Sequence, residues 1–236
     1  MRDRIKNNMY FDNYIKYVNE DIEEFEGVLA EIITQKGELF EGVEIGYATL
    51  EMLYLDKIKA LYSHGSNIVE IKKIYERFLE CFTQVWTTDN GYERLLNAIS
   101  LAVLLNIDKV QFEEAFRFLK KEDINDSIID TLLNKIDSSW LIRDNEVRYP
   151  MRYELLDNII RLDDKLKQQE LLKQYLDSWY RKHNDAAWYD SHKSNQDTYN
   201  GYWCFEAGAV AKILGLDDIK LKDKQYYPYD MVHFRD

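Results

Sequence analysis

Residues 11–32 read FDNYIKYVNEDIEEFEGVLAEI, and the placement of their apolar side chains decides the fold class. Phe11, Tyr14, Ile15, Val18, Ile22, Phe25, Leu29 and Ile32 recur at steps of three and four, the period of one helix face. Glu20, Glu23, Glu24 and Glu31 fall mostly on the other faces. A second helical pattern runs through Ile45, Leu50, Leu53, Tyr54, Ile58, Leu61 and Tyr62. A third runs through Ile68, Ile71, Ile74, Tyr75, Phe78, Leu79, Phe82, Val85 and Trp86, with Ser66 or Asn67 as its cap. Tyr92 to Leu105 is apolar enough to be central. Asp108 reads as the cap of a helix ending near Leu119, and Ile124, Ile128, Leu132 and Ile136 give a further stripe. Pro150 is placed to begin a helix through Leu155 and Ile159, Leu166 to Tyr180 continues the pattern, and Trp203 to Leu214 stops at Gly215. Ser138 to Pro150 reads as a connection, Lys193 to Gly201 as a polar loop, and the aromatic tail Leu221 to Phe234 as a segment folding back onto the body. Two prolines and nine glycines leave few breakers, and neither strand-like alternation nor a fixed repeat occurs. The expectation is an all-α protein, a multi-helix, bundle-like array with short connections.

The 236 residues suit one large domain or two small ones. At 46% hydrophobic and 31% charged, the composition excludes disorder and fibrous classes. No window approaches a membrane-spanning apolar run, and the opening MRDRIKNNMYFDNY lacks the apolar core of a secretory signal, so a cytoplasmic address and no membrane partner are expected. The net charge is −12, and the excess is uneven: between Asp12 and Glu51, eleven acids face only Lys16 and Lys36, a net of −9. Binding a phosphate backbone needs clustered cations, so nucleic acid is disfavoured as a partner. Such a run either solvates a helix face or forms an electrostatic landing surface for a basic protein.

Motifs for catalytic chemistry are scarce. Neither GxxxxGK[ST] nor GxGxxG occurs, so no loop is available to cradle phosphates with backbone amides. His64, His183, His192 and His233 never stand at i, i+4, and no GxSxG elbow is present. His183, His192 and Glu206 are the one set that could assemble a metal triad for a small metal-assisted hydrolase, against the plainer reading of histidines tied to backbone carbonyls. Cys81 and Cys204 are too few for a disulfide framework or a zinc site, and Cys204, between Trp203 and Phe205, reads as a core filler. No catalytic residue, metal ligand or cofactor is expected, and the chain is not read as an enzyme.

Aromatic residues crowd the C-terminal quarter, which fits a polar-edged aromatic core better than a base-stacking groove, because acids are interleaved among them. There the run WYDSHKSNQDTYNGYWCFEAGAVAKILGLDD (188–218), followed by LKDKQYYPYDMVHF (221–234), resembles the C-terminal domain of the PoNi proteins. These are immunity proteins to PoNe, the polymorphic nuclease effectors of bacterial competition. The opening MRDRIKNNMYFDNYIKYVNEDIEEFE (1–26) resembles the N-terminal domain of the same family. The residues carrying the C-terminal resemblance include Trp188, Tyr189, His192, Tyr199, Gly201, Tyr202, Trp203, Glu206, Asp218, Tyr226, Tyr227, Pro228 and Asp230. They are read as a structural signature of the fold. Two family regions, 1–120 and 121–236, are expected to pack into one compact body.

The resemblance implies an immunity protein that binds and neutralises a cognate DNase toxin of a polymorphic toxin system. The alternatives are the metal-assisted hydrolase above or a general helical interaction scaffold. A DNase must attract DNA, so its active-site surroundings should be basic. On that ground Glu20, Asp21, Glu23, Glu24, Glu26, Glu31, Glu38, Glu41 and Glu44 are expected on or near the contact with the toxin. The aromatic, glycine-poor helical surface is also compatible with a homodimer.

Overall fold

The computed structural model describes residues 1–87, 91–121, 124–143 and 146–236. The described residues form α-helices and short 3-10 turns, with no strand among them. They divide into two compact units: residues 1–87 with 190–202, and residues 88–189 with 203–236.

The first unit is built on three sequential helices, α1 (Asn8–Lys36), α2 (Glu41–His64) and α3 (Ile68–Val85), with α2 packed against both others. Each boundary has a local cause. The Asn7 side chain accepts from Tyr10 N–H at 2.9 Å to start α1, and Asn67, rather than Ser66, accepts from Val69 N–H at 2.9 Å to start α3. Gly65, in the left-handed region at φ 102°, ends α2 with a Schellman pair of bonds, Gly65 N–H to Tyr62 and Ser66 N–H to Leu61. The α1 stripe buries Phe11, Tyr14, Val18, Ile22 and Leu29, and α3 buries its face from Ile68 to Val85. Two stripe members depart from expectation. Phe25 is 38% exposed, while Glu26 beside it reaches across to Tyr54 on α2 and Arg77 on α3. Ile45 is exposed, because the inward face of α2 runs through Val43, Gly46 and Leu50, and the step of five from Ile45 to Leu50 is not a helical one.

The second unit contains α4 (Tyr92–Leu104), α5 (Glu113–Lys121), α6 (Ser127–Ile136), α7 (Pro150–Arg161), α8 (Lys165–Lys182), α9 (Phe205–Leu214) and α10 (Tyr229–Val232). Here α9 is the hub, touching α4, α6, α7, α8 and α10. Its FEAGAVA stretch is entirely buried, and its small side chains let neighbours approach closely. Asp108 and Gln111 form a reciprocal capping box at 2.9 and 3.2 Å, but a turn intervenes and the regular helix begins only at Glu113. Pro150 occupies the first turn of α7, where a missing N–H costs nothing, and Asp164 caps α8. The connection read from Ser138 to Pro150 is fastened by the buried Asp130, which accepts from Trp140 Nε1 at 3.0 Å and from Arg143 Nε at 2.9 Å; positions 144 and 145 of that stretch lie outside the described residues. The tail does fold back. Tyr226 O accepts from Cys204 N–H at 2.8 Å, and Pro228 seats against Gly208.

Two glycines give opposite predictions. Gly27 lies within α1 with nothing within 4 Å of an added Cβ, so Gly27→Ala should stabilise the protein by about 0.5–1 kcal/mol, the usual gain of alanine over glycine in a helix. At Gly208 the added Cβ would lie 2.5 Å from Pro228 Cγ, so the same change should destabilise by about 1–3 kcal/mol. Urea unfolding of the two variants beside the parent checks both signs. A neutral Gly208→Ala would contradict the seating of Pro228 on α9.

Candidate functional site

Eight of the nine acids read as a landing surface are exposed: Glu20, Asp21, Glu23, Glu24 and Glu31 on α1, Glu38 in the turn, and Glu41 and Glu44 in the first turn of α2. At the start of α2 the two carboxylates also suit the positive end of the helix dipole. Lys16 pairs with Glu20 at 3.8 Å on the same face, an exposed i, i+4 contact that leaves the field strongly negative.

Glu26, the ninth, is placed differently. Its Oε1 accepts from the Tyr54 hydroxyl at 2.5 Å on α2 and from Arg77 at 2.8 Å on α3, so one carboxylate ties together all three helices. Burial pushes its carboxyl up, but the bonds from Tyr54 and Arg77 outweigh it and hold the group below its ordinary value. Burial, with Glu26 next, lifts the Tyr54 hydroxyl to about 12. A depressed carboxyl contributes stability that is present above its unfolded value and is lost as pH falls through the folded one. Glu26→Gln should therefore cost about 1 kcal/mol at neutral pH, and the gap to the parent should narrow as pH falls below the ordinary glutamate range and close in acid. Urea unfolding at neutral and acid pH tests this; a gap that persists in acid would mean that the charge is not what matters.

The aromatic motif divides between the two units. In the first, Tyr199 is buried; its hydroxyl donates to Asp3 Oδ2 at 2.5 Å, and its backbone exchanges hydrogen bonds with the Tyr10 hydroxyl at 2.8 and 3.0 Å. Burial, with the Asp3 charge next, holds the Tyr199 hydroxyl far above the ordinary phenol value. The next residue, Asn200, donates to Asp56 Oδ1 at 2.5 Å and accepts from the Ser63 hydroxyl at 3.1 Å. Gly201 supplies a φ of 112°. The Tyr202 hydroxyl accepts from the His192 N–H at 3.1 Å and lies 3.0 Å from His192 Nδ1. The stretch read as a polar loop thus ends in buried residues. That stretch carries no helical or alternating pattern, so nothing in the sequence singled out Asn200 or its partner Asp56 on α2, and Asp3 stood out only by lying in the opening run that resembles the family.

In the second unit the motif closes around α9. The buried Glu206 carboxylate accepts from Tyr175 OH at 2.9 Å, Trp179 Nε1 at 2.6 Å and Cys204 Sγ at 3.2 Å. Burial, and Glu206 next, drive the Cys204 thiol well above its ordinary value, so it stays protonated as a core residue. Trp188 stacks on Trp179 at 5.3 Å and donates to Glu93 at 2.9 Å, while Tyr180 stacks between Tyr189 and Tyr226. Asp218, also buried, accepts from Tyr227 OH at 2.6 Å and His233 Nε2 at 2.7 Å. Trp203 is buried, and Asp230 lies in the first turn of α10.

The candidate triad does not assemble. His183 is buried, with Nδ1 2.7 Å from the Trp179 carbonyl and Nε2 3.4 Å from Tyr153 OH. Among the described residues no three His, Cys, Asp or Glu side chains are grouped to hold a metal ion. No helix among them is long and apolar enough to cross a membrane.

The described residues thus combine an acidic helical face with buried polar networks. In comparison with known families, the model described as "PoNe immunity protein (PoNi), N-terminal" matches residues 2–117, and that described as "PoNe immunity proteins (PoNi), C-terminal" matches residues 124–231. The chain belongs to the PoNi family of PoNe immunity proteins, whose function is immunity against nuclease effectors. Among solved structures, "The Crystal Structure of Protein PA2201 from Pseudomonas aeruginosa" is similar at a TM-score of 0.61 and 18% identity, over 92% of this chain and 87% of that one, a likeness of fold. No curated protein matches the chain in sequence.

Proposed function

We propose that this protein confers immunity by binding a cognate nuclease effector directly, with the acidic face of α1 and α2 occupying the basic surroundings of the effector's active site. The observation that carries the reading is the exposure of eight acids on two successive helices and the turn between them in a member of an immunity family. An enzyme that cuts DNA must present cations to phosphates, and a dense carboxylate face competes for that field. Complementary charge of this kind speeds encounter and selects the partner. The protein acts by binding, with no cofactor and no chemistry of its own.

The test is co-expression with the effector encoded beside its gene, scoring survival and DNA integrity and recovering the complex from surviving cells. Survival with intact DNA and a recovered complex is the expected result. Degraded DNA with both chains soluble would refute the pairing.

A further inference from the structure

At the α1–α2 turn the acidic face carries an apolar centre. Leu39 is 102% exposed, Phe40 46% and Ile45 63%, all within the eight residues 38–45 that also hold the exposed Glu38, Glu41 and Glu44. Single exposed apolar residues are ordinary, but three among carboxylates on one short turn and the start of the next helix are not the composition of a solvated face. The turn is also pre-formed. Phe40 N–H donates to Gly37 O at 3.3 Å, Val43 N–H donates to Phe40 O at 2.8 Å, and a Cβ on Gly42 would lie 2.8 Å from the Phe40 ring. Just beyond, a Cβ on Gly46 would lie 2.9 Å from Leu29 Cδ1, so the two helices close tightly below the turn. A side chain held in place before binding loses little entropy on docking.

We propose that this turn and the start of α2 are the anchor of the effector interface: Leu39, Phe40 and Ile45 enter an apolar depression on the nuclease whose rim is lysine and arginine, and Glu38, Glu41 and Glu44 meet that rim. The inference rests on the immunity reading and adds a division of labour to it. An apolar centre within a charged rim is the usual anatomy of a lasting interface, in which the centre sets lifetime and the rim sets encounter. Charge decides the occupant. A second copy of this chain would bring one carboxylate field against another, whereas a cationic surface is complementary.

The experiment measures association and dissociation rates of the full-length chain with the purified effector nuclease domain, for the parent, Leu39→Ser and Ile45→Ser. Both side chains are mostly in solvent, so the variants should melt with the parent. The expected result is dissociation faster by about tenfold or more in each variant, with association within about twofold. Unchanged lifetimes beside a parent that binds would overturn the anchor and leave the immunity reading standing. A parent that fails to bind the effector would overturn the immunity reading itself. A dimeric parent made monomeric by Leu39→Ser would overturn the anchor in favour of self-association.

Discussion

Replacing Tyr199 with alanine is expected to destabilise the protein by about 3–5 kcal/mol, the range for removing a large buried ring. The ring sits 4.7 Å from Tyr202 and 6.1 Å from Phe11, and the side chain is 1% exposed. The variant also strips Asp3 Oδ2 of its donor, while Asp3 Oδ1 continues to hold the Ile5 and Lys6 amides at 2.7 and 2.8 Å. Tyr199→Phe isolates that second part: it keeps the ring and should cost about 1–2 kcal/mol, the penalty of one buried acceptor left short. Equilibrium urea unfolding of the pair gives both numbers. Because α1 and α2 share this core, Tyr199→Ala should also lose effector binding although it touches no surface acid. An alanine variant as stable as the parent would mean that residues 190–202 are not part of the first unit's core.

Reversing Glu20, Glu24 and Glu31 to lysine together is expected to slow association with the effector about tenfold or more at low salt and to flatten its dependence on ionic strength. All three are exposed on α1, so the fold should tolerate the change. Dissociation should move much less, since rim charges act mainly on encounter. Rapid-mixing or surface-binding kinetics across a salt series reads both effects. A parent-like association rate at every salt concentration would remove the acidic face from the mechanism.

Much of this protein is written locally. The stripes from Phe11 to Leu29 and from Ile68 to Trp86, the proline opening α7 and the glycines ending α2 and α9 follow from short-range geometry, because a helix repeats its faces every few residues and its ends demand particular caps. The surplus of acids from Asp12 to Glu51 is equally a property of composition, and the family match follows from motif residues read in order. What tertiary structure decided is which of those residues work together. The run from Trp188 to Asp218 is continuous in sequence, yet it is divided at 189–190 and again at 202–203, so that Tyr199, Asn200 and Tyr202 complete the first unit while Trp188 and Glu206 close the second. Ile45 faces outward for a local reason, its step of five to Leu50, whereas Glu26 next to Phe25 is recruited by distant partners. Which of two adjacent side chains meets a neighbouring helix depends on hydrogen-bond partners 28 and 51 positions away, Tyr54 and Arg77, and helical period carries no information over that distance.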